Sequence, residues 1–270
     1  MNKIQASAGV GPSEFLVTKE YRRFAEFCEA CRRDRYIGLC YGPPGVGKTL
    51  SARHYAQWST FEAHQLEYFE PPDSQLASCH TLYYLPAVSN TPRSIANALD
   101  GLHFRFNCLV DQARQALGQE IDVDRDHCEL ILVDEADRLK MQSLEQLRDA
   151  YDRGNFGLIF MGMPGLEKRL SRYPQLYSRV GFAHAFRALS AEEMQFILAH
   201  HWERLGLTLE RSDFSDSEAV AAVIRITGGN FRLVYRLFSQ IGRLLQINGF
   251  SSITKEVVEA ARECLVIGPT

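Results

Sequence analysis

The sequence predicts an α/β protein with a parallel five-stranded sheet, followed by a small C-terminal domain made only of helices. Over the first 189 residues, short apolar runs alternate with helical stretches, and several runs are apolar on both faces. That pattern is typical of parallel strands that are covered on both sides. From Ser190 onward only helical periodicity remains. We therefore predict an α/β core over residues 1–189 and a helical lid over residues 190–270.

The predicted elements follow from periodicity and from turn residues. An amphipathic helix is expected over residues 19–35, ahead of the first strand. Strands are expected at residues 36–41, 81–88, 129–134, 157–162 and 183–189. A capping box of Ser190 and Glu193 begins the lid. Its later helices are expected over residues 215–226, 231–247 and 254–265.

The composition excludes some classes of protein. Of 270 residues, 46% are apolar and 23% are charged, and the formal net charge is −3, so the chain is an ordinary globular protein without a basic excess. Any contact with DNA must come from a local patch. The first residues lack the basic stretch followed by an apolar run that is typical of a signal peptide, and no apolar run in the sequence approaches eighteen residues. Both observations favour a soluble, cytoplasmic protein without a membrane partner.

The cysteines indicate free thiols rather than disulfides or zinc. There are seven, an odd number, scattered along the chain. Cys28 and Cys31 form a C-x-x-C pair, but the second pair that a zinc site needs is missing. Because residues at this spacing share one face of a helix, we expect two buried thiols.

A phosphate-binding loop (P-loop) is predicted between the first strand and the next helix, which is expected at 48–58. The segment from Gly42 to Thr49 matches G-x-x-x-x-G-K-[ST] without a gap. Its glycines let backbone N–H groups surround the phosphates, and the helix N-terminus favours the same negative charge. Lys48 is expected to neutralise the β- and γ-phosphates of ATP, and the Thr49 hydroxyl to bind Mg²⁺. The predicted nucleotide-binding residues are Gly42, Pro43, Pro44, Gly45, Val46, Gly47, Lys48, Thr49 and Leu50.

Two acidic residues follow the apolar strand at 129–134. Asp134 and Glu135 are expected at the carboxyl edge of the sheet, where parallel sheets bind their ligands. Asp134 would hold Mg²⁺ through water, and Glu135 would polarise the water that attacks the γ-phosphorus. The sequence therefore predicts an enzyme that hydrolyses ATP.

Two other P-loop classes fit less well. Asp134 to Asp137 spell the signature of a helicase family, but such helicases need two RecA-like domains, roughly 350 residues at usual domain sizes. A P-loop kinase is disfavoured by the adjacent Asp134 and Glu135. An acidic residue beside the metal aspartate, followed by a small helical domain, is instead the layout of AAA+ ATPases.

In AAA+ proteins the lid and a neighbouring subunit each supply an arginine to the site. Arg232, at the start of the third lid helix, is the predicted lid arginine. Arg179, just ahead of the last strand, is the predicted arginine finger, which acts on the next subunit and so requires a homo-oligomer. Arg169, Arg172 and Arg187 are the competing candidates for the finger.

One expected polar residue is missing. The strand at 157–162 should end in a polar side chain that helps position water, yet the chain reads Met161-Gly162-Met163-Pro164. This departure weakens the case for fast hydrolysis. It keeps open an alternative, a nucleotide-gated assembly scaffold that scarcely hydrolyses ATP.

Four segments together resemble the AAA+ regulators of DNA transposition of the TnsC, TniB and MuB types. They are the P-loop at 42–49, VDEADRLK at 133–140, GMPGLEKRL at 162–170 and TGGNFRL at 227–233. The resemblance covers residues 15–265. It implies an ATP-dependent ring or helical filament on double-stranded DNA that selects target sites and recruits a transposase or a target-selector protein. It also implies that hydrolysis disassembles the filament.

The same resemblance implies DNA contacts at Thr91, Arg93 and Lys140. Each has a plainer interpretation, because Thr91-Pro92 is also an ordinary helix start and a lone surface lysine is usually only solvated. A secretion ATPase of the ExeA type shares the lid motif, but it is expected to carry a transmembrane segment or a wall-binding domain. For the adenine base, residues 17–21 and Ile37 are expected to flank the ring.

Overall fold

A computed structural model describes residues 15–64, 72–122, 125–210 and 212–265. Its five strands form one parallel sheet in the order β2-β3-β4-β1-β5. The strands are β1 (Ile37–Tyr41), β2 (Thr81–Tyr84), β3 (Leu130–Val133), β4 (Gly157–Gly162) and β5 (Val180–Ala185). The predicted fold class is confirmed.

Helices cover the sheet and form the C-terminal region. Those of the α/β part are α1 (Lys19–Asp34), α2 (Lys48–Tyr55), α3 (Trp58–Ala63), α4 (Pro92–Ala116), α5 (Met141–Arg153), α6 (Leu166–Leu170) and α7 (Pro174–Tyr177). Those of the C-terminal part are α8 (Ala191–Arg204), α9 (Phe214–Thr227), α10 (Phe231–Asn248) and α11 (Lys255–Glu263). Two short 3₁₀ helices, Ser74–Ser78 and Ala136–Arg138, complete the set.

Both faces of the sheet are buried. Alternate strand residues such as Ile131 and Phe160 pack with α4 and α5 on one face. Their neighbours Leu132 and Ile159 pack with α1 and α2 on the other. Since successive side chains of a strand point to opposite faces, β2, β3 and β4 are buried throughout. The edge strand β5 alternates between exposed and partly buried residues, which made its sequence signal weak.

Three elements differ from the sequence prediction by three residues or more at one end or both. β2 ends at Tyr84 rather than at residue 88, because Pro86 has no N–H to donate to a neighbouring strand. β5 covers Val180–Ala185 instead of residues 183–189, because it pairs with β1 from Ile37 to Tyr41 and shares its length. The helix expected over residues 48–58 ends at Tyr55, and Gln57 at φ 49° starts the separate helix α3.

The predicted buried thiols at Cys28 and Cys31 are confirmed. Both are inaccessible to solvent and pack between α1 and the sheet. Burial raises the pKa of Cys28 and raises that of Cys31 to about 12, so both thiols stay protonated at neutral pH. Within the described ranges, no group of three or more His, Cys, Asp and Glu side chains is placed to hold a metal ion.

The C-terminal helices have a hydrophobic core of their own. Trp202, Leu237 and Ile241 are at its centre, and α8, α9, α10 and α11 all contribute to it. The all-helical C-terminal region is therefore confirmed, while the division at residue 189 stays a prediction. No helix in the described part of the chain has both the length and the apolar character that crossing a membrane requires.

A buried carboxylate connects this helical region to the rest of the molecule. Glu193 accepts hydrogen bonds from the backbone N–H groups of Ser190, at 3.0 Å, and of Glu20, at 2.9 Å. The first completes the predicted capping box of α8. The Glu20 carboxylate in turn accepts from the N–H of Arg187 at 3.1 Å. The first turn of α1 thus joins the end of the sheet to the first lid helix.

A buried histidine in the lid predicts a dependence of stability on pH. The His201 ring stacks on Phe238 at 4.6 Å, and burial lowers the pKa of His201 to about 4. The unfolded chain binds this proton near pH 6.5 and the folded chain only near pH 4. Stability from this group is therefore full above pH 6.5 and falls as the pH drops toward 4, by about 3 kcal/mol at most.

Urea unfolding at pH 7.5 and pH 5 measures this effect. His201→Phe keeps the ring contact without a titrating group and should reduce the loss of stability at pH 5. The neighbouring His200→Gln should leave most of the loss in place, because burial is the largest cause of the shift at His201. An equal loss in His201→Phe and the parent chain would show that other groups cause it.

Candidate nucleotide site

The P-loop connects β1 to α2, as its sequence predicts. Gly45 and Gly47 have φ of 80° and 111°, a region that other residues rarely adopt, so both positions require glycine. Gly42 meets a different constraint, because a Cβ there would lie 2.3 Å from the carbonyl oxygen of Phe186. The loop is therefore fixed by backbone geometry and leads directly into α2 at Lys48.

The two sequence motifs meet in space through a hydrogen bond. Thr49 Oγ1 donates to Asp134 Oδ2 at 2.6 Å, and Tyr83 Oη donates to the same oxygen at 2.9 Å. Asp134 Oδ1 accepts from the N–H of Glu135 at 2.8 Å, and Asp134 is 2% exposed. Adjacent hydroxyl and carboxylate oxygens are the ligands that Mg²⁺ prefers, with phosphates and water completing its shell. These residues therefore fit the predicted metal site.

A cavity of about 710 Å³ lies above this contact. It is lined by the P-loop, by the turn after β3, by the end of β4 and by the first turn of α10. The lining includes Lys48, Thr49, Asp134, Glu135 and Arg232, which the sequence placed in one site. Its size lies within the usual range for sites that bind small molecules and cofactors.

Lys48 is held against its own loop. Its Nζ donates to the carbonyl oxygens of Gly42 at 2.6 Å and Pro43 at 2.8 Å. Partial burial lowers the pKa of Lys48, and the nearby charges of Asp134 and Asp137 oppose that change. The ammonium group is thus at the mouth of the P-loop, where phosphate oxygens could replace the two carbonyls.

Glu135 has an unusual backbone and a partner that the sequence analysis did not identify. Its φ is 49°, in the left-handed region, where a non-glycine residue is uncommon and often functional. Its carboxylate forms an ion pair with Arg138, three residues later. The spacing could have suggested this pair, but the 3₁₀ turn at Ala136–Arg138 that permits it was not predicted.

The lid contacts the P-loop through backbone groups. Asn230 Nδ2 donates to the carbonyl oxygen of Pro44 at 2.8 Å, and the N–H of Arg232 donates to that of Gly45 at 2.9 Å. Asn230 also caps α10, since its Oδ1 accepts from the N–H of Leu233 at 3.2 Å. The sequence pointed to Arg232 and missed Asn230, which has both roles.

The AAA domain family matches residues 31–170, which is more than half of the chain. This chain belongs to the AAA domain family. It is 48% identical over 266 residues to a potential ATP-binding protein of Staphylococcus aureus, covering 94% of this chain and 97% of that protein. It is 24% identical over 249 residues to the Mu-like prophage FluMu DNA transposition protein B of Haemophilus influenzae. That match covers 87% of this chain and 75% of the other protein.

The same fold occurs in the RuvB Holliday junction branch migration motor of Thermotoga maritima. The two structures superpose with a TM-score of 0.59 at 17% identity, over 92% of this chain and 70% of that one. Family membership and the relative of S. aureus both support ATP binding by this chain.

In this AAA chain, Arg179 lies away from the cavity. It precedes β5, at the end of the sheet opposite the P-loop, and its guanidinium pairs with Asp152 at 2.5 and 2.8 Å. It therefore cannot reach its own nucleotide cavity, and its predicted role in a neighbouring subunit stays a prediction. Of its competitors, Arg169 donates to the carbonyl oxygen of Asp137 at 3.0 Å, while Arg172 and Arg187 are exposed.

The residues proposed to face DNA lie on one surface. Thr91, Arg93 and Lys140 are all exposed, just beyond the carboxyl ends of β2 and β3. Asn90 joins their two segments: its Nδ2 donates to the carbonyl oxygen of Arg138 at 3.3 Å, and its Oδ1 accepts from Ser143 Oγ at 2.7 Å.

The three side chains differ in how free they are to bind. Thr91 Oγ1 accepts from the N–H of Ser94 at 3.1 Å and caps α4, as the plainer interpretation predicted. No ion pair joins Arg93 or Lys140 to another residue within the described ranges. The two basic side chains are therefore better placed than Thr91 to bind phosphate.

A smaller cavity of about 90 Å³ lies near the P-loop, and part of the segment 17–21, which was predicted to flank adenine, lines it. Thr18 and Tyr21 line it together with Leu50. Ile37 does not line it, because it is the first residue of β1 and is fully buried in the sheet core, at the end away from the P-loop. The expectation for Ile37 was therefore wrong.

The contact between Asn230 and Pro44 predicts a local effect on dynamics. Asn230→Ser keeps an oxygen that can cap α10 and removes the amide donor. Amide hydrogen exchange of peptides covering residues 42–50 and 230–236 should become about fivefold faster, as expected for the loss of one hydrogen bond.

The control is the same substitution at the other end of the helix. Asn248→Ser removes a hydrogen bond to the Leu244 carbonyl and should leave the P-loop peptides unchanged. Unchanged exchange in Asn230→Ser would mean that the lid does not restrain the P-loop.

Proposed function

We propose that this chain is an ATP-hydrolysing AAA+ protein that assembles as a homo-oligomer on double-stranded DNA and regulates transposition, by selecting target sites and recruiting a transposase or target-selector protein. The observation that carries the proposal is the position of exposed Arg93 and Lys140 beside the nucleotide cavity, at the same edge of the sheet. The similarity to a protein named for DNA transposition supports the same conclusion. The proposed setting is the cytoplasm, where seven free cysteines stay reduced.

The cavity residues have proposed roles in hydrolysis. Lys48 and Arg232 would neutralise the β- and γ-phosphates, and Thr49 and Asp134 would hold Mg²⁺, which would screen the developing charge. The oxygen of a water molecule forms a bond to the γ-phosphorus while the bond from that phosphorus to the bridging oxygen of ADP breaks. Glu135 takes the water proton, which then passes to the released phosphate or to solvent.

The turn after β3 offers a physical route from DNA to the nucleotide. Residues 135–140 contain Glu135, its partner Arg138 and the exposed Lys140 in one short segment. Asn90 attaches this segment to the start of α4, near Arg93. Phosphates bound at Arg93 and Lys140 would therefore act on the backbone that positions Glu135, and we expect DNA to stimulate hydrolysis.

A second candidate is the nucleotide-gated scaffold. Two observations favour it: Glu135 is engaged by Arg138, and β4 ends in Gly162 without a polar side chain of its own. Such a protein would bind ATP and partners, and would assemble with slow turnover that does not depend on Glu135.

ATP turnover with and without duplex DNA at low salt separates the two proposals. We expect DNA to raise turnover in the parent chain, with rings or filaments visible by electron microscopy. Lys48→Ala should lose ATP binding, and Glu135→Gln should assemble but hydrolyse at least about 100-fold more slowly. Equal, slow turnover in the parent and Glu135→Gln with ATP-dependent assembly would favour the scaffold. Absence of any DNA effect would contradict the first proposal.

The salt dependence of DNA binding in that experiment locates the DNA surface. Arg93→Ala and Lys140→Ala should each reduce the log–log salt slope by about 0.9 per protomer. The exposed lid residue Lys255 serves as a control, because Lys255→Ala should leave the slope unchanged.

The proposed trans role of Arg179 predicts recovery of activity on mixing. Arg179→Ala should bind ATP normally but hydrolyse it poorly, because an arginine finger is worth about 10³ to 10⁵ in rate. Glu135→Gln subunits are almost inactive, yet they should assemble and still present Arg179. Mixing the two inactive variants on DNA should restore part of the turnover, and no recovery in mixed assemblies would exclude Arg179 as the finger.

A further inference from the structure

Gly162, the last residue of β4, has no side chain, and Asp137 fills the space that one would take. A Cβ on Gly162 would lie 2.4 Å from Asp137 Oδ2 and 3.0 Å from Asp137 Cγ. The same Oδ2 accepts a hydrogen bond from the N–H of Met163 at 2.7 Å. The Asp137 carboxylate thus occupies the space that the first side-chain atoms of a non-glycine residue at position 162 would take.

The backbone around Asp137 keeps it in this position. The turn at Ala136–Arg138 is closed by a hydrogen bond from the N–H of Arg138 to the carbonyl oxygen of Glu135 at 2.9 Å. Arg169, on α6, donates to the carbonyl oxygen of Asp137 at 3.0 Å. With Oδ2 held by Met163, the orientation of the carboxylate is restricted.

Asp137 also belongs to the nucleotide cavity. It lines that cavity together with Lys48, Asp134, Glu135 and Gly162. Its negative charge acts on the Lys48 ammonium. Apart from the contact with Met163, no hydrogen bond or ion pair joins its carboxylate to another residue in the part of the chain that the structure describes. One carboxylate oxygen is therefore available to the cavity.

We propose that Asp137 is a further catalytic residue, whose available oxygen accepts a hydrogen bond from the attacking water and orients it toward the γ-phosphorus, in the place of the side chain that β4 lacks. The inference rests on the proposed hydrolysis of ATP. A carboxylate is only a hydrogen-bond acceptor and is repelled by phosphate oxygens, so it acts on the water rather than on the phosphate. Orientation of this kind is a main component of catalysis in phosphoryl transfer.

The Glu135 and Asp137 carboxylates then have different roles toward the attacking water. A water molecule has two hydrogens: one is transferred to Glu135 as the new P–O bond forms, and the other stays on the water oxygen and bonds to Asp137. Asp137 takes up no proton, and the balance of the reaction is unchanged. The arrangement explains how hydrolysis can proceed although residues 161–163 supply no polar side chain.

Three variants of the full chain test the inference, with ATP turnover measured on duplex DNA. Asp137→Asn keeps an oxygen for the Met163 N–H and directs its NH₂ group, a donor, toward the cavity. We expect the kcat of Asp137→Asn to fall at least about tenfold. The dissociation constant of a non-hydrolysable ATP analogue and the thermal midpoint should stay close to those of the parent.

The other two variants move the carboxylate to the strand. Asp137→Ala combined with Gly162→Asp places a carboxylate at the end of β4, and Asp137→Ala combined with Gly162→Ala is the matched control without it. Both lack the acceptor that Asp137 provides for Met163, so they differ only in the carboxylate on β4. We expect the double variant that carries Gly162→Asp to hydrolyse ATP at least about fivefold faster than its control.

The outcomes separate this inference from the proposed function. Wild-type turnover in Asp137→Asn, or equal turnover in the two double variants, would overturn the role of Asp137 while leaving ATP hydrolysis intact. A parent chain no faster than Lys48→Ala, with or without DNA, would overturn the proposed hydrolysis and this inference with it.

Discussion

The hydrogen bond between Thr49 and Asp134 brings together two loops whose strands are not neighbours. Strand β4 lies between β1 and β3, so the P-loop and the acidic turn can meet only above its carboxyl end. The proposed magnesium ligands, the cavity and the position of Glu135 all depend on that contact. Tyr83, donating to the same carboxylate oxygen from β2, holds it from the far side. Residues of β2, of the turn after β3 and of the P-loop therefore meet at the buried carboxylate of Asp134. Gly162, at the end of β4, lines the same cavity.

The lid is fixed to this centre at two places with different chemistry. Near the P-loop the contacts are direct: Asn230 and the backbone of Arg232 donate to the carbonyls of Pro44 and Gly45. Farther away, Glu193 binds the backbone of both α1 and α8. The first pair of contacts is made with the P-loop itself, while the second lies at α1 and the start of α8. We therefore expect a change in the P-loop to act on α10 first, with Glu193 keeping the lid attached to α1.

The sequence predicts most of what local patterns determine. The P-loop, Asp134 and the lid Arg232 were found because their spacing is set by backbone geometry within one segment, and the strands because burial on both faces makes them apolar. Asn230 and Asp137 were not assigned roles, because each acts on a residue distant in sequence, Pro44 and Met163. Ile37 was misplaced for a related reason: a β-strand has two ends, and periodicity does not show which end faces a ligand. Arg179 shows the same limit, since its partner in the described structure is Asp152 and its proposed target is in another subunit.

A net charge of −3 is compatible with DNA binding if the contacts are repeated. The two basic side chains proposed for each protomer, Arg93 and Lys140, would give weak DNA binding to a monomer, because each would release about one counterion. In an oligomer that follows the duplex, the same two contacts recur in every subunit, and each bound subunit raises the effective concentration of the next. In the proposed oligomer, affinity would then depend on assembly, and assembly on the bound nucleotide. The weakness of the single contact would allow hydrolysis in one cavity to release the DNA, since no subunit would hold it strongly alone.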